Sequence, residues 1–339
     1  MTENKRRQFL KTVGLVAGGT LATSAGCSLN PGPGRSMEEL TRACRGVHNF
    51  LTTPFLADGA LDVEGLRGNV AYHADRHPGD MTMVVTCNLG ELFSLDLEEH
   101  QAAGRVAVEG ARGKMPVIQG VAGGYQLALE MARNAERAGV DALMLFAPPY
   151  GSSTARGVYE YMHRVATAVR IGVFVNMWHG YPVAVEDYWA QVIGELARLP
   201  NVIGFQDSSG GVEVGHSLRG LIPDRFLWIA RGEGHAVKAL PAGARAYTAA
   251  VACLAPGACR EFWENGTAGN PVEMNRILEQ RIAPLATVRS LRPGYSAAGI
   301  KVALETVGRA GGPTRPPMGR VAAGDRPRIE AIVRRHAEI

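Results

Sequence analysis

Val202-Ile203-Gly204-Phe205-Gln206-Asp207-Ser208-Ser209 is a short apolar run that breaks into small polar residues. Such a run, ended by turn formers, reads as a strand buried on both faces, with the polar residues at its carboxyl end. The pattern recurs seven more times, at Val47 to Thr53, Met81 to Thr86, Pro116 to Val121, Ala142 to Ala147, Gly172 to Asn176, Phe226 to Arg231 and Ala244 to Ala250; the quoted strand itself is placed from Val202 to Gln206. Between the runs lie longer amphipathic stretches with helical spacing, among them Leu97 to Arg112, Gln126 to Ala138, Tyr159 to Val169, Tyr188 to Arg198 and Ala236 to Leu240. Alternation of this kind predicts an α/β fold. Eight units without a long breaker region predict a (β/α)8 TIM barrel over an open doubly wound sheet, and no glycine-rich dinucleotide turn argues for the latter.

After the eighth strand, Arg260 to Arg309 reads as two or more helices, Arg315-Pro316-Pro317-Met318 interrupts, and a last helix spans about Arg326 to Ala337. The barrel with its C-terminal helical extension from about residue 260 is therefore placed at 45–339 as one domain. With 46% apolar and 20% charged residues in 339, the chain can bury a full core and is not a disordered or collagen-like sequence. A net charge of +4, with basic and acidic residues interspersed, supplies no stripe for nucleic acid.

The first 27 residues are set apart. Lys5-Arg6-Arg7-Gln8-Phe9-Leu10-Lys11 followed by a mildly apolar, glycine-containing stretch is a twin-arginine (Tat) export signature. Its apolar run is shorter and more interrupted than the roughly 20 residues of a membrane span. Thr23-Ser24-Ala25 suits signal-peptidase cleavage, and Ala25-Gly26-Cys27 resembles the end of a lipobox that would make Cys27 a lipid anchor; both processing routes stay open. Export predicts a periplasmic or cell-envelope location with the Tat machinery as a partner. Residues 28–44, which open on Ser28-Leu29-Asn30-Pro31-Gly32-Pro33-Gly34, read as a tether. Of the five cysteines, Cys44, Cys87, Cys253 and Cys259 remain in the barrel; they form no Cys-x-x-Cys pair and no zinc spacing. A Cys253–Cys259 bridge is chemically possible in an oxidising compartment, but buried free thiols are the expectation.

In a TIM barrel the chemistry sits at the carboxyl ends of the strands. The polar residues predicted there are Asn88, Glu91, Tyr150, Asn176, His179, Gln206, Asp207, Ser208, Arg231, Glu233 and His235. His179, His235 and Asp207 are candidates for proton transfer. Asn88, Glu91, Asn176, Ser208 and Glu233 are candidates for binding substrate. Glu233-Gly234-His235 together with His179 offers ligands for a divalent metal, but loop histidines with no metal fit the spacing better, and no metal or cofactor is called for. Gln206 can donate to a ligand carbonyl and accept from a hydroxyl, or it can simply satisfy its neighbours.

These residues resemble the dihydrodipicolinate synthase and N-acetylneuraminate lyase family of pyruvate-dependent barrel lyases, over nearly everything after the signal segment. The resemblance is carried by Thr52-Thr53-Pro54-Phe55 with Asp58-Gly59 and Leu61-Asp62, by Gly90-Glu91-Leu92-Phe93-Ser94-Leu95 with Glu98-Glu99, and by Asn176, Gly204, Asp207, Gly232 and Arg315-Pro316-Pro317. The Phe-Ser-Leu element and Pro148-Pro149-Tyr150 are most similar to the branch of 5-dehydro-4-deoxyglucarate dehydratases. The resemblance implies a small 2-keto acid or sugar acid as ligand, a homotetramer, and a role for Tyr150 across a subunit interface. It also implies that the imine-forming lysine stands here as Gln206, the tyrosine before the fifth-strand asparagine as Val175, and Gly-Thr-Thr as Cys87-Asn88-Leu89. An amide nitrogen is not nucleophilic, so the usual imine route is closed to Gln206. Two expectations follow: a lyase or dehydratase that enolises its substrate without an imine, or an exported protein that binds such an acid without turning it over.

Overall fold

Eight short strands, each five or so residues long and buried throughout, close on themselves in chain order: β1 (Gly46–Phe50), β2 (Met81–Val85), β3 (Val117–Val121), β4 (Ala142–Phe146), β5 (Gly172–Met177), β6 (Val202–Asp207), β7 (Leu227–Ala230) and β8 (Ala246–Ala249). All neighbours pair in parallel, and β8 pairs with β1 to complete the barrel. The computed structural model describes residues 35–147, 154–177, 186–209, 211–218 and 220–338. Parallel pairing buries both faces of a sheet, and the continuous apolar runs of the sequence meet that demand.

Helices α1 (Met37–Ala43), α2 (Val63–Arg76), α3 (Leu97–Ala111), α4 (Tyr125–Ala138), α5 (Ala155–Thr167), α6 (Glu186–Leu196), α7 (Glu213–Ser217) and α8 (Gly232–Ala242) alternate with the strands. The extension comprises α9 (Pro256–Thr267), α10 (Pro271–Ile277), α11 (Ala283–Ala286), α12 (Tyr295–Thr306) and α13 (Arg326–His336). Local chemistry fixes several ends: Asp96 caps α3 and Glu99 returns the bond to the Asp96 N–H. The carboxylate of Glu338 takes the N–H groups of Gly257 and Ala258 at 2.7 and 3.0 Å, so the end of the chain neutralises the positive end of α9.

The stretch read as a tether, 28–44, needs correction from residue 36 onward. Residues 37–43 form α1, started by a capping box in which Ser36 and Glu39 satisfy each other's backbone N–H groups. Leu40, 1% exposed, lies 2.9 Å from where a side chain on Gly172 would begin, so α1 covers the amino end of the barrel. Burial of Leu40 and Cys44 favours order here despite the proline and glycine just upstream. No helix among the described residues is long and apolar enough to cross a membrane.

Register sorts the strand side chains into two sets, because directly paired residues face the same side. Phe146, Asn176 and Gln206 are paired across β4, β5 and β6. Their set faces the lumen: in the same series, Phe174 of β5 packs edge-on against His48 of β1, across the barrel, at 5.9 Å. Phe205 is paired instead with Trp228 of β7 and stacked on it at 6.4 Å, and His216 of α7 meets the same indole edge-on. That second set faces the helices.

Candidate functional site

The end of β6 brings the predicted polar groups to very different places. Gln206 is 4% exposed and its Oε1 accepts from Asn176 Nδ2 at 2.9 Å, the two side chains lying abreast on the lumen face. That bond uses the carboxamide oxygen, and the Gln206 Nε2 donors bond no other described residue. Gly204, one lumen position below, leaves the space that the barrel needs, because a Cβ there would lie 2.4 Å from the Leu227 carbonyl. Gln206 and Asn176 thus form a neutral amide pair at the carboxyl ends of β5 and β6, an arrangement suited to orienting a polar ligand.

Asp207 is the next residue and points the other way. Its Oδ2 accepts from Trp228 Nε1 at 3.1 Å and its Oδ1 from the Ser209 N–H at 2.9 Å, and the side chain is fully buried. Expected to transfer protons, it is turned by alternation to the helix layer, where it closes the turn after β6. Ser208 lies half-buried on that turn.

His235, also expected to transfer protons, is held by the backbone. The Arg231 N–H donates to its Nδ1 at 3.2 Å, and its Nε2 is 2.5 Å from the Gly211 carbonyl. With both ring nitrogens engaged by backbone, the imidazole stitches the β6 turn to the start of α8. Glu233, beside it, has a buried Oε1 with no hydrogen-bond partner, and burial raises its carboxyl above the ordinary range despite the opposing Arg289. No group of three or more histidine, cysteine, aspartate or glutamate side chains among the described residues is placed to hold a metal ion.

Glu91, expected to bind substrate, is also committed elsewhere. Lys301 Nζ lies 2.6 Å from its Oε1, and its Oε2 accepts from the Arg315 N–H at 2.9 Å. Asn88, at the start of the same turn, is exposed. Tyr150 and His179 lie outside the described residues. Among the other described lysines, Lys114 pairs with Asp75 at the surface and Lys238 is exposed on α8.

Thr86, Thr52 and His48 are not among the polar groups expected at the strand ends. Thr86 directly follows β2 in the left-handed region (φ 50°), with its hydroxyl buried and bonded to no described residue, and the Thr52 hydroxyl just after β1 is in the same condition. His48 sits deeper; its Nε2 donates to the Cys44 carbonyl at 2.7 Å and burial pulls its pKa down to about 4, so it is neutral. Only the alternation of β1, counted inward from Val47, would have exposed His48 as a lumen residue. The four barrel cysteines are free thiols, all buried.

Comparison with known proteins agrees with this architecture. A family model described as the dihydrodipicolinate synthetase family matches residues 43–336. The chain is 32% identical over 304 residues to a probable 5-dehydro-4-deoxyglucarate dehydratase 2 of Streptomyces coelicolor, covering 87% of this chain and 92% of that one. It is 29% identical over 297 residues to a probable 5-dehydro-4-deoxyglucarate dehydratase of Azotobacter vinelandii, covering 86% and 95%. Among solved structures, dihydrodipicolinate synthase from Bacillus clausii superposes with a TM-score of 0.78 at 25% identity, covering 87% of this chain and 99% of that one. The order of eight strands, the motif turns after β1 and β2 and these matches over most of the chain lead to one conclusion: the protein belongs to the dihydrodipicolinate synthetase family.

Proposed function

We propose that this protein recognises a small 2-keto acid or sugar acid at the carboxyl-end mouth of its barrel and holds it without a covalent imine. The observation that carries the reading is the Asn176–Gln206 amide pair. It lies where the family resemblance places the reacting amine, and it offers hydrogen bonds in place of a nucleophile. The dehydratase relatives support a lyase activity of the hydro-lyase kind, with Tyr150 or His179 carrying the proton. A second reading, binding without turnover, is favoured by one observation: Asp207 and His235 are both committed to structural bonds.

Thermal-shift screening against pyruvate, other 2-keto acids and sugar acids, followed by product analysis of each ligand that binds, separates the readings. Stabilisation with conversion supports the lyase, and stabilisation by an unchanged ligand supports the binding protein. A flat screen across both classes of acid rejects the ligand assignment itself.

We propose further that the protein is exported through the Tat pathway on the strength of Lys5-Arg6-Arg7, and that it self-associates with Tyr150 near the interface. Replacing both arginines with lysine is expected to retain the protein in the cytoplasm, and light scattering is expected to give the mass of a tetramer. Unchanged export, or a monomeric mass, would remove the respective proposal.

A further inference from the structure

Lys301 and Glu91 face each other at 2.6 Å with their side chains 1% and 0% exposed. Removing two charges from water is costly, so a pair this deep is weak evidence for stability by itself. Each charge has further support: Lys301 donates to the Pro313 carbonyl at 2.7 Å and lies 4.3 Å from the centre of the Phe55 ring, and Glu91 holds the Arg315 N–H. Arg315 sits 4.1 Å from the same ring, clamps the Glu99 carboxylate at 2.5 and 2.6 Å, and donates to the carbonyls of Gly59 and Ser94. Residues 311–315 therefore form a strap from the C-terminal extension to the turns after β1 and β2. Gly312 (φ 69°) lies so close that a Cβ would be 1.8 Å from the Phe55 carbonyl oxygen.

The anchored residue is itself in an uncommon conformation. Glu91 adopts φ 54° and ψ 40°, a left-handed geometry that is unfavourable for a residue other than glycine. It directly follows Gly90, whose carbonyl takes the Thr53 hydroxyl at 2.7 Å and whose Cβ position would be 2.9 Å from the Thr86 nitrogen and 3.1 Å from the Leu51 carbonyl. The Gly90–Glu91 turn is thus wedged against the ends of β1 and β2, beside the unbonded hydroxyls of Thr52 and Thr86.

We propose that Lys301 and Glu91 are positioning residues: from 210 positions apart they hold the Gly90–Glu91 turn so that Thr52 and Thr86 present their hydroxyls to the acid bound at the barrel mouth. This rests on the ligand reading above. The test uses the full chain with Lys301→Met, Glu91→Gln and the double variant, which removes both charges and so restores much of the stability lost in the single ones. Hydrogen exchange of the amides of residues 91–95, each variant held equally far below its own midpoint, is the direct readout. Exchange there is expected to rise at least tenfold in the single and the double variants while α9 is unchanged, and the Kd for D-glucarate to rise at least tenfold more than that for pyruvate. Restored protection in the double variant, or a lowered midpoint with wild-type exchange in the turn, would overturn the proposal. If the wild-type protein binds neither acid, the ligand reading fails alone and the exchange result still decides whether the pair holds the turn.

Discussion

Gln206→Lys is the substitution that speaks most directly to the chemistry of the barrel mouth. Residue 206 is 4% exposed and its described lumen neighbours are neutral, so an ammonium placed there loses its hydration and finds no counter-charge. Full burial depresses a lysine pKa by up to about 3–5 units; a shift of about 2–3 units from ~10.4 leaves the amine at about 7–8, partly neutral and nucleophilic at pH 8. At about 1.4 kcal/mol per unit this costs ~3–4 kcal/mol of stability at pH 7, and Asn176 also loses its acceptor, for roughly 1 kcal/mol more. A chain of this size then melts about 6–8 °C lower.

The sign is fixed by linkage: the unfolded state binds the proton more tightly, so the deficit should shrink as pH rises from 7 toward 10. Incubation with pyruvate, borohydride reduction and peptide mass spectrometry should place a reduced pyruvyl group on the introduced amine. Turnover of any acid that the wild-type protein converts should fall, because the Asn176–Gln206 amide pair is lost. A folded variant that shows the pH-dependent deficit and binds pyruvate, but takes up no label, would refute the placement of residue 206 at the reacting centre.

Three further outcomes follow from the packing. Gly312→Ala should destabilise the protein by more than the ~1–2 kcal/mol of left-handed strain, since its methyl group also meets the Phe55 carbonyl; urea unfolding measures this, and a change under ~0.5 kcal/mol would contradict the strap geometry. His48 is held neutral with a pKa near 4, so between pH 6.5 and 4 the unfolded state takes up the proton first. Stability should fall by up to about 3 kcal/mol across that window, with buried His73 and His100 adding to the loss, whereas a flat urea profile from pH 7 to 4 would argue against these environments. Burial raises the Cys44 thiol to about 12 and Cys253 to about 11, with Cys87 and Cys259 also pushed upward, so all four should resist a thiol reagent until the protein unfolds; labelling at the native unfolded fraction alone is expected, and rapid modification of any one would contradict it.

The barrel was legible because parallel strands must be apolar on both faces, and all eight runs fall within three residues of their observed bounds. α1 was obscured by composition: Pro31, Gly32, Pro33 and Gly34 announce a tether, although Ser36 and Glu39 spell out a capping box just beyond them. Placing Asn176 beside Gln206 needed only their common position at strand ends. The inward or outward sense of Asp207 depends on an alternation that a reader cannot anchor without knowing which of Phe205 and Gln206 faces the lumen. His235 and Glu91 illustrate a different limit, since their partners are a backbone carbonyl at Gly211 and an amine at Lys301, both distant in sequence. Spacing within a motif carries no information about either.

The most direct test of the account is intact-mass and peptide analysis of the wild-type protein after borohydride reduction, with pyruvate present at a concentration that thermal shift shows to be saturating. The expected result is an occupied but unmodified chain, because Gln206 cannot form the imine. A reduced pyruvyl adduct on any lysine, Lys301 above all, would contradict it.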